Sequence, residues 1–334
     1  MSDNQARVTT AQIARRLGVS RSTVSRALAG SVAVRPETRA RVARMAESLG
    51  YRPNLLAKAL ISRQSPIVGV VMGDVSRNPF HAEIHAALTR GMQRIGLTPL
   101  TAQLGPDNGV DKALEIFSQY QVGQVILTSF SITEDVLEAC LASDLEVVLL
   151  NRVDLHARTS AVCADMAQGG RLAAEHLARR GKKRVALVEG LAGAWTSRSR
   201  LEGYLQGAEA HGLDIVARLA GDYSYDGGLA AARQLIECDT LPEAVLCAND
   251  LTAFGLIDGL RRDAGIAVPG QVAVLGFDDV PMAAWAAYDL TTVRLPVNAM
   301  IERLMALLKR LRQEDATEPE VTFLPCRLVS RGSA

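Results

Sequence analysis

Arg21, Ser22, Ser25 and Arg26 are the side chains left facing outward when residues 10–28 are wound into two short helices with Ile13, Leu17, Val24 and Leu28 turned inward. Guanidinium groups fork onto guanine edges or phosphate oxygens, and short hydroxyls bond bases or backbone oxygens, so the chemistry on offer is DNA recognition. Small Ala14 lets two helices cross closely and Gly18 supplies the backbone freedom of a turn between them. Thr10 and Ser20 stand where capping hydroxyls would accept the orphan amides of each first turn. A solvated helical hairpin would show the same alanine–glycine spacing, so the flanking sequence has to decide.

Charge decides it. Residues 1–65 carry 12 Lys/Arg against 3 Asp/Glu, and the remaining 25 and 33 lie in residues 66–334, so the near-neutral total of +1 conceals a basic head on an acidic body. Such a head suits a polyanion, with binding that weakens steeply as salt is added. Pro36 opens a third helix on which Val42, Met45 and Leu49 recur at helical spacing before Gly50 ends it. The stretch 51–60 is too brief to stand as an isolated helix and is expected to become helical only on binding or dimerising.

A second group of reactive side chains lies in the longer remainder. Apolar runs at 67–72, 125–128, 147–150, 185–188, 244–247 and 272–275 read as strands, and helical periods at 81–95, 134–142, 166–180, 199–211 and 251–264 follow most of them. Strands separated by helices imply parallel sheets with right-handed crossovers, and such sheets hold ligands at the carboxyl ends of their strands. Those ends are polar here. They carry Asp74 with Asn78-Pro79-Phe80, Trp195 through Arg200, Asn249-Asp250 and Gly276-Phe277-Asp278-Asp279. Carboxylate, amide, guanidinium and aromatic face together suit a polyhydroxylated or anionic small molecule. The expected fold is therefore α/β: a three-helix helix-turn-helix head (residues 1–52), a hinge linker (53–65) and a two-lobed body with parallel sheets (66–334).

Other classes fit less well. The chain shows no H-E-x-x-H, P-loop, G-x-S-x-G or paired C-x-x-C, so neither an enzyme nor a metal or cofactor site is expected. Cys140, Cys163, Cys238, Cys247 and Cys326 are scattered and odd in number, as in reduced cytoplasmic proteins. A periplasmic binding protein is the alternative for the body, but the first seven residues are polar with no apolar export segment after them, and no apolar run approaches membrane-spanning length.

From residue 8 to about 330 the chain resembles the LacI/GalR family of transcriptional repressors. The resemblance is carried by Val19-Ser20-x-Ser22-Thr23-Val24-Ser25-Arg26, the Gly50-Tyr51-x-Pro53-Asn54 junction, Ala57-x-Ala59-Leu60, Asn78-Pro79-Phe80, Arg200-x-x-Gly203-Tyr204, Asn249-Asp250 and Gly276-Phe277-Asp278-Asp279. It implies a DNA-facing set of Thr10, Ser20, Arg21, Ser22, Thr23, Ser25 and Arg26. It also implies a hinge helix with Asn54, Ala57, Ala59 and Leu60, in which Leu60 wedges between base pairs of the minor groove. A homodimer spanning a palindromic site in double-stranded DNA follows, because one recognition helix reads only a half-site. The helices at 81–95 and 251–264 are the candidate interface elements, although core burial would explain their apolar stripes equally.

The resemblance further implies an effector site, for a sugar-like small molecule, formed by Asp74, Phe80, Asn151, Trp195, Arg200, Tyr223, Asn249 and Asp278. Arg200 would bind a ligand carboxylate or paired hydroxyls, Asp278 and Asn249 would accept from and donate to hydroxyls, and Phe80, Trp195 and Tyr223 would wall the site or pack in the core. A sugar, a sugar acid, a nucleoside and a phosphorylated sugar all remain open. Asp250 is expected to cap the helix that follows it, Asp279 to be structural, and Asp165 to cap the helix at 166.

Overall fold

The computed structural model describes residues 8–28, 31–51, 65–73, 78–105, 109–128, 133–154, 156–313 and 318–334. Asn54, Ala57, Ala59, Leu60 and Asp74 lie outside the described residues. The chain divides into two units, residues 1–66 and 67–334.

In the first unit, α1 (Thr10–Leu17), α2 (Arg21–Leu28) and α3 (Pro36–Ser48) close around Ile13, Val24 and Val42, each fully buried. Leu17, Leu28, Met45 and Leu49, expected in the same seam, are only partly covered at its rim. Ala14 and Ala27 complete the contact, their small side chains permitting the close helix crossing. Gly18 takes φ +64° at the end of α1, the left-handed conformation a short turn needs and a side chain resists. The cap of α1 is Thr9 rather than Thr10: Gln12 N–H donates to its hydroxyl at 3.4 Å, and the Thr9 N–H donates to Gln12 Oε1 at 2.8 Å, a reciprocal box.

Among the described residues the second unit contains two wholly parallel sheets and one two-stranded antiparallel sheet. The first lobe holds β1 (Ile67–Met72), α4 (Pro79–Arg94), β2 (Thr98–Gln103), α5 (Val110–Gln119), β3 (Gln124–Thr128), α6 (Glu134–Ala142), β4 (Glu146–Leu150) and β5 (Ser160–Ala164). The second holds α7 (Met166–Arg179), β6 (Arg184–Glu189), α8 (Trp195–His211), β7 (Asp214–Ala220), α9 (Tyr225–Ile236), β8 (Ala244–Cys247), α10 (Asp250–Ala264), β9 (Ala273–Leu275) and β10 (Thr292–Arg294). The chain returns to the first lobe through α11 (Val297–Leu311) and β11 (Val321–Leu324), then to the second as β12 (Arg327–Val329). Sheet orders are β11-β5-β4-β3-β1-β2 and β7-β6-β8-β9, with β10 and β12 paired antiparallel.

The central strands are continuous apolar runs because helices cover both faces, as in β3, β4 and β8. β2 and β7 are edge strands with alternating or largely exposed residues, so they lack the unbroken run that marks the others. The apolar stripes of α4 and α10 are spent inside the unit, with Ile84, Leu88 and Met92 buried on α4 and Phe254, Leu256 and Ile257 on α10. α7 and α8 pack at glycine distance: a Cβ on Gly203 would fall 2.1 Å from the Ala167 carbonyl oxygen. Among the described residues no helix is long and apolar enough to cross a membrane.

Candidate functional site

On the head, Arg21, Ser22 and Arg26 are exposed while Val24 and Ala27 face inward, so α2 presents polar groups on the side away from the core. Thr23 and Ser25 are half-buried. Ser20 caps α2: the Thr23 N–H donates to its Oγ at 3.0 Å, and the same oxygen lies 2.8 Å from the Ser22 and Thr23 hydroxyls. Arg21 Nε donates to Thr10 Oγ1 at 3.3 Å, tying the first turn of α2 to that of α1. Ser20→Ala is expected to cost about 1 kcal/mol of α2 stability, read as a roughly fivefold faster hydrogen exchange of the α2 amides, with Ser20→Gly much milder. Equal exchange in wild type and the alanine variant would remove the cap from the account.

In the body, the carboxyl ends of β1, β3, β4, β7 and β9 converge on an open cleft lined by Met72, Thr128, Leu150, Asn151, Tyr223 and Asp278, with Asn78, Phe80, His81 and Ile84 from the start of α4 and Thr196 and Arg200 from α8. The first lobe contributes mainly apolar wall, the second mainly polar groups. Three of the lining residues that follow strands hold left-handed backbone: Asn151 (φ 58°), Tyr223 (φ 58°) and Asp278 (φ 116°). Such conformations cost free energy in residues other than glycine and cluster at ligand sites.

Arg200 is 4% exposed. Its guanidinium carbon lies 3.8 Å from the Phe277 ring centroid and 5.6 Å from that of Tyr223. Nη2 donates to Met166 Sδ at 3.5 Å, while Nε and Nη1 have no hydrogen-bond partner. Burial disfavours its charge, but Tyr223 and Asp278 more than offset this and hold its pKa above the usual range. Asp278 is also buried. Burial pushes its carboxyl up to about 7, against the lowering influence of Arg200 and of the hydrogen bond from Asn78, with Glu83 raising it further. Asn78 joins the lobes: as the cap of α4 it accepts from Phe80 N–H at 3.0 Å, and its Nδ2 donates to Asp278 Oδ2 at 3.5 Å.

Phe80, Asn151, Arg200, Tyr223 and Asp278 are thus brought together. Two other expected members are not in the lining. Trp195 opens α8 with its ring stacked on Phe323, centroids 6.1 Å apart, because a position five residues before Arg200 lies on a different face of the helix, toward strand β11. Asn249 is 1% exposed and caps α10, accepting from Thr252 N–H at 2.9 Å, while its Nδ2 donates to the Tyr223 carbonyl at 3.2 Å. It supports the left-handed turn that presents Tyr223. Asp250 therefore is not the cap. Its carboxylate instead accepts from Val280 N–H at 2.8 Å and the Thr292 hydroxyl at 2.5 Å, fixing the loop that carries Asp278.

Asp279 pairs with Arg294 and, at 2.6 Å, with Arg331, a structural role. Asp165 caps α7 through Gln168 N–H at 2.8 Å. Sequence reasoning missed Thr128, Thr196 and Ile84. Thr196 had a usable signal, since it lies one helical turn from Arg200 on α8 and shares its face.

A polar cleft between parallel-sheet lobes, joined in one chain to a basic helix-turn-helix head, defines a small-molecule-responsive DNA-binding protein. Residues 9–54 match the model for bacterial regulatory proteins of the lacI family, and residues 174–334 match a periplasmic binding protein-like domain. Catabolite control protein A of Priestia megaterium is 31% identical over 98% of this chain and 99% of its own length. The transcriptional regulator GalS of Salmonella typhimurium is 32% identical over 88% and 86%. The lac repressor dimer bound to operator and the anti-inducer ONPF superposes with a TM-score of 0.83 at 25% identity, covering 98% of this chain and 99% of that one. The transcriptional regulator CelR in complex with cellobiose gives 0.74 at 28% identity. The chain belongs to the lacI family of bacterial regulatory proteins and is a DNA-binding transcriptional regulator with an effector-binding body. Its relatives are regulators rather than enzymes.

Proposed function

We propose that this chain acts in the cytoplasm as a homodimeric repressor whose hold on a palindromic operator is set by a small polyhydroxylated effector in the cleft of the body. The observation that carries this reading is the cleft itself: an open guanidinium, a buried carboxyl and left-handed strand-end residues face one another where a parallel-sheet protein holds its ligand. Related proteins support the choice of ligand and assembly, the lac repressor being a dimer on operator with a small-molecule anti-inducer and CelR a complex with cellobiose.

On the DNA side, Arg21, Ser22, Ser25 and Arg26 read or clamp the major groove, with Thr10, Ser20 and Thr23 beside them. Asn54, Ala57, Ala59 and Leu60 form the hinge of residues 53–65, with Leu60 as the minor-groove wedge. Effector binding changes the angle between the lobes, and a ligand with different affinity for the two arrangements shifts the hinge between DNA-bound and released states. The protein works by binding, without catalysis.

The test is operator-fragment binding by fluorescence anisotropy, with and without effector. Arg200→Ala is expected to lower effector affinity about a hundredfold, consistent with losing a charged hydrogen-bonding group, while operator affinity without effector and its steep salt dependence persist. An unchanged effector response in the variant would take Arg200 out of the site. Salt-insensitive DNA binding by the wild type would count against the head.

A further inference from the structure

Resting on the reading of the head given above, we propose that Thr10 is a positioning residue for DNA recognition, holding the Arg21 guanidinium so that it reads one guanine in each half of the operator. Thr9 takes the capping role at α1, accepting from Gln12 N–H, so the hydroxyl of Thr10 is left for another partner. It takes Arg21, whose Nε donates to Thr10 Oγ1 at 3.3 Å. The tether joins the first residue of α2 to the first residue of α1, and the branching of threonine at Cβ restricts where its hydroxyl can point. Among the described residues Nη1 and Nη2 of Arg21 have no hydrogen-bond partner. The tether therefore leaves one fork, the terminal pair, and limits the rotamers of an exposed side chain before DNA arrives.

Guanine fits that fork. Arginine only donates, and in the major groove guanine alone presents two acceptors, O6 and N7, on one base, whereas adenine sets an amino donor beside N7 and thymine a methyl group beside O4. A phosphate also offers two acceptors, but in a helix-turn-helix the N-terminal residues of the second helix meet base edges while the first helix crosses the backbone. Exposed Arg15, Arg16, Arg35, Arg41 and Arg44 provide cations for that backbone outside α2. The hydroxyls beside Arg21 are engaged with the cap: those of Ser22 and Thr23 each lie 2.8 Å from Ser20 Oγ, the oxygen that accepts from Thr23 N–H. Arg21 is thus the side chain of the first turn of α2 whose donors are both exposed and uncommitted.

Selection from a random duplex library by the full chain, followed by fluorescence anisotropy on the selected duplex and its single-base variants, tests this. Guanine is expected at one fixed position in each half-site, with any other base there binding about tenfold more weakly. Arg21→Ala and Arg21→Lys are both expected to lose that preference while preferences at other positions remain, because lysine keeps the charge without the fork. Thr10→Val and Thr10→Ala remove the acceptor with and without keeping the shape, and each is expected to cut discrimination about threefold at that position alone, with Thr10→Ser restoring it. Circular dichroism checks that each variant head is folded. Arg21→Ala weakening all sequences alike, with a salt slope lower by about 1 per half-site, makes Arg21 a phosphate contact; it overturns the proposal and leaves operator binding standing. A folded Thr10 variant with full guanine discrimination, or with discrimination lowered at every position alike, overturns the positioning role. Absence of any sequence preference in the wild type overturns both the proposal and the operator reading.

Discussion

Replacing Asp278 by asparagine is expected to stabilise the body at pH 8 and to do so less as the pH falls. A carboxyl ordinarily titrates near 3.9 in an unfolded chain, whereas burial pushes that of Asp278 up to about 7 in the folded one. Between those values the native state binds more protons than the unfolded state, so this group's contribution to stability declines as pH rises and reaches its full penalty above about pH 7. The penalty is at most on the order of a few kcal/mol, and relaxation of the cleft reduces it. An amide keeps the shape, still accepts from Asn78 and tolerates φ 116° better than most residues. Thermal unfolding at pH 5 and pH 8 checks the sign. A variant less stable than wild type at pH 8 would mean that the carboxylate is compensated in the apo cleft. The expected gain identifies Asp278 as a group retained at the expense of stability, which is the behaviour of a ligand-binding residue.

The second large effect is expected at Gly203. An added Cβ would lie 2.1 Å from the Ala167 carbonyl oxygen and 2.7 Å from its carbonyl carbon, contacts with helix backbone that no side-chain rotation relieves. Gly203→Ala should therefore force α8 off α7 and destabilise by about 3 kcal/mol, the upper part of the usual range for overpacking. In a unit of this size the melting temperature falls by roughly 6–12 °C. Arg200 stands one turn earlier on α8, so effector affinity should fall with it. Gly193→Ala is the control, since its Cβ would meet nothing within 4 Å and its stability is expected to stay within about 0.5 kcal/mol of wild type. Scanning calorimetry of the two variants separates the close approach from a general intolerance of alanine.

What was legible before the structure is what local chemistry specifies. The helix-turn-helix follows from Ile13, Val24, Gly18 and Ser20 because periodicity, a left-handed turn and a cap all act within a few residues of one another. The central strands follow from unbroken apolar runs because both faces are covered, and the ligand-bearing ends follow from the parallel arrangement. The limits of local reading show at single-residue offsets. Thr9 rather than Thr10 and Asn249 rather than Asp250 serve as caps, since which of two adjacent polar residues leaves helical geometry depends on the turn each enters.

Only the tertiary structure decided which strand-end residues meet. Trp195 and Arg200 lie on the same helix, yet one stacks on a strand that arrives from residue 323 and the other reaches a cleft completed by residues 78 and 278. Sequence spacing fixes directions on one helix or strand, whereas a site built from seven segments depends on how two sheets and their crossovers are placed. The open donors of Arg200 and the raised titration of Asp278 belong to that same level, because both arise from the absence or presence of neighbours far away along the chain.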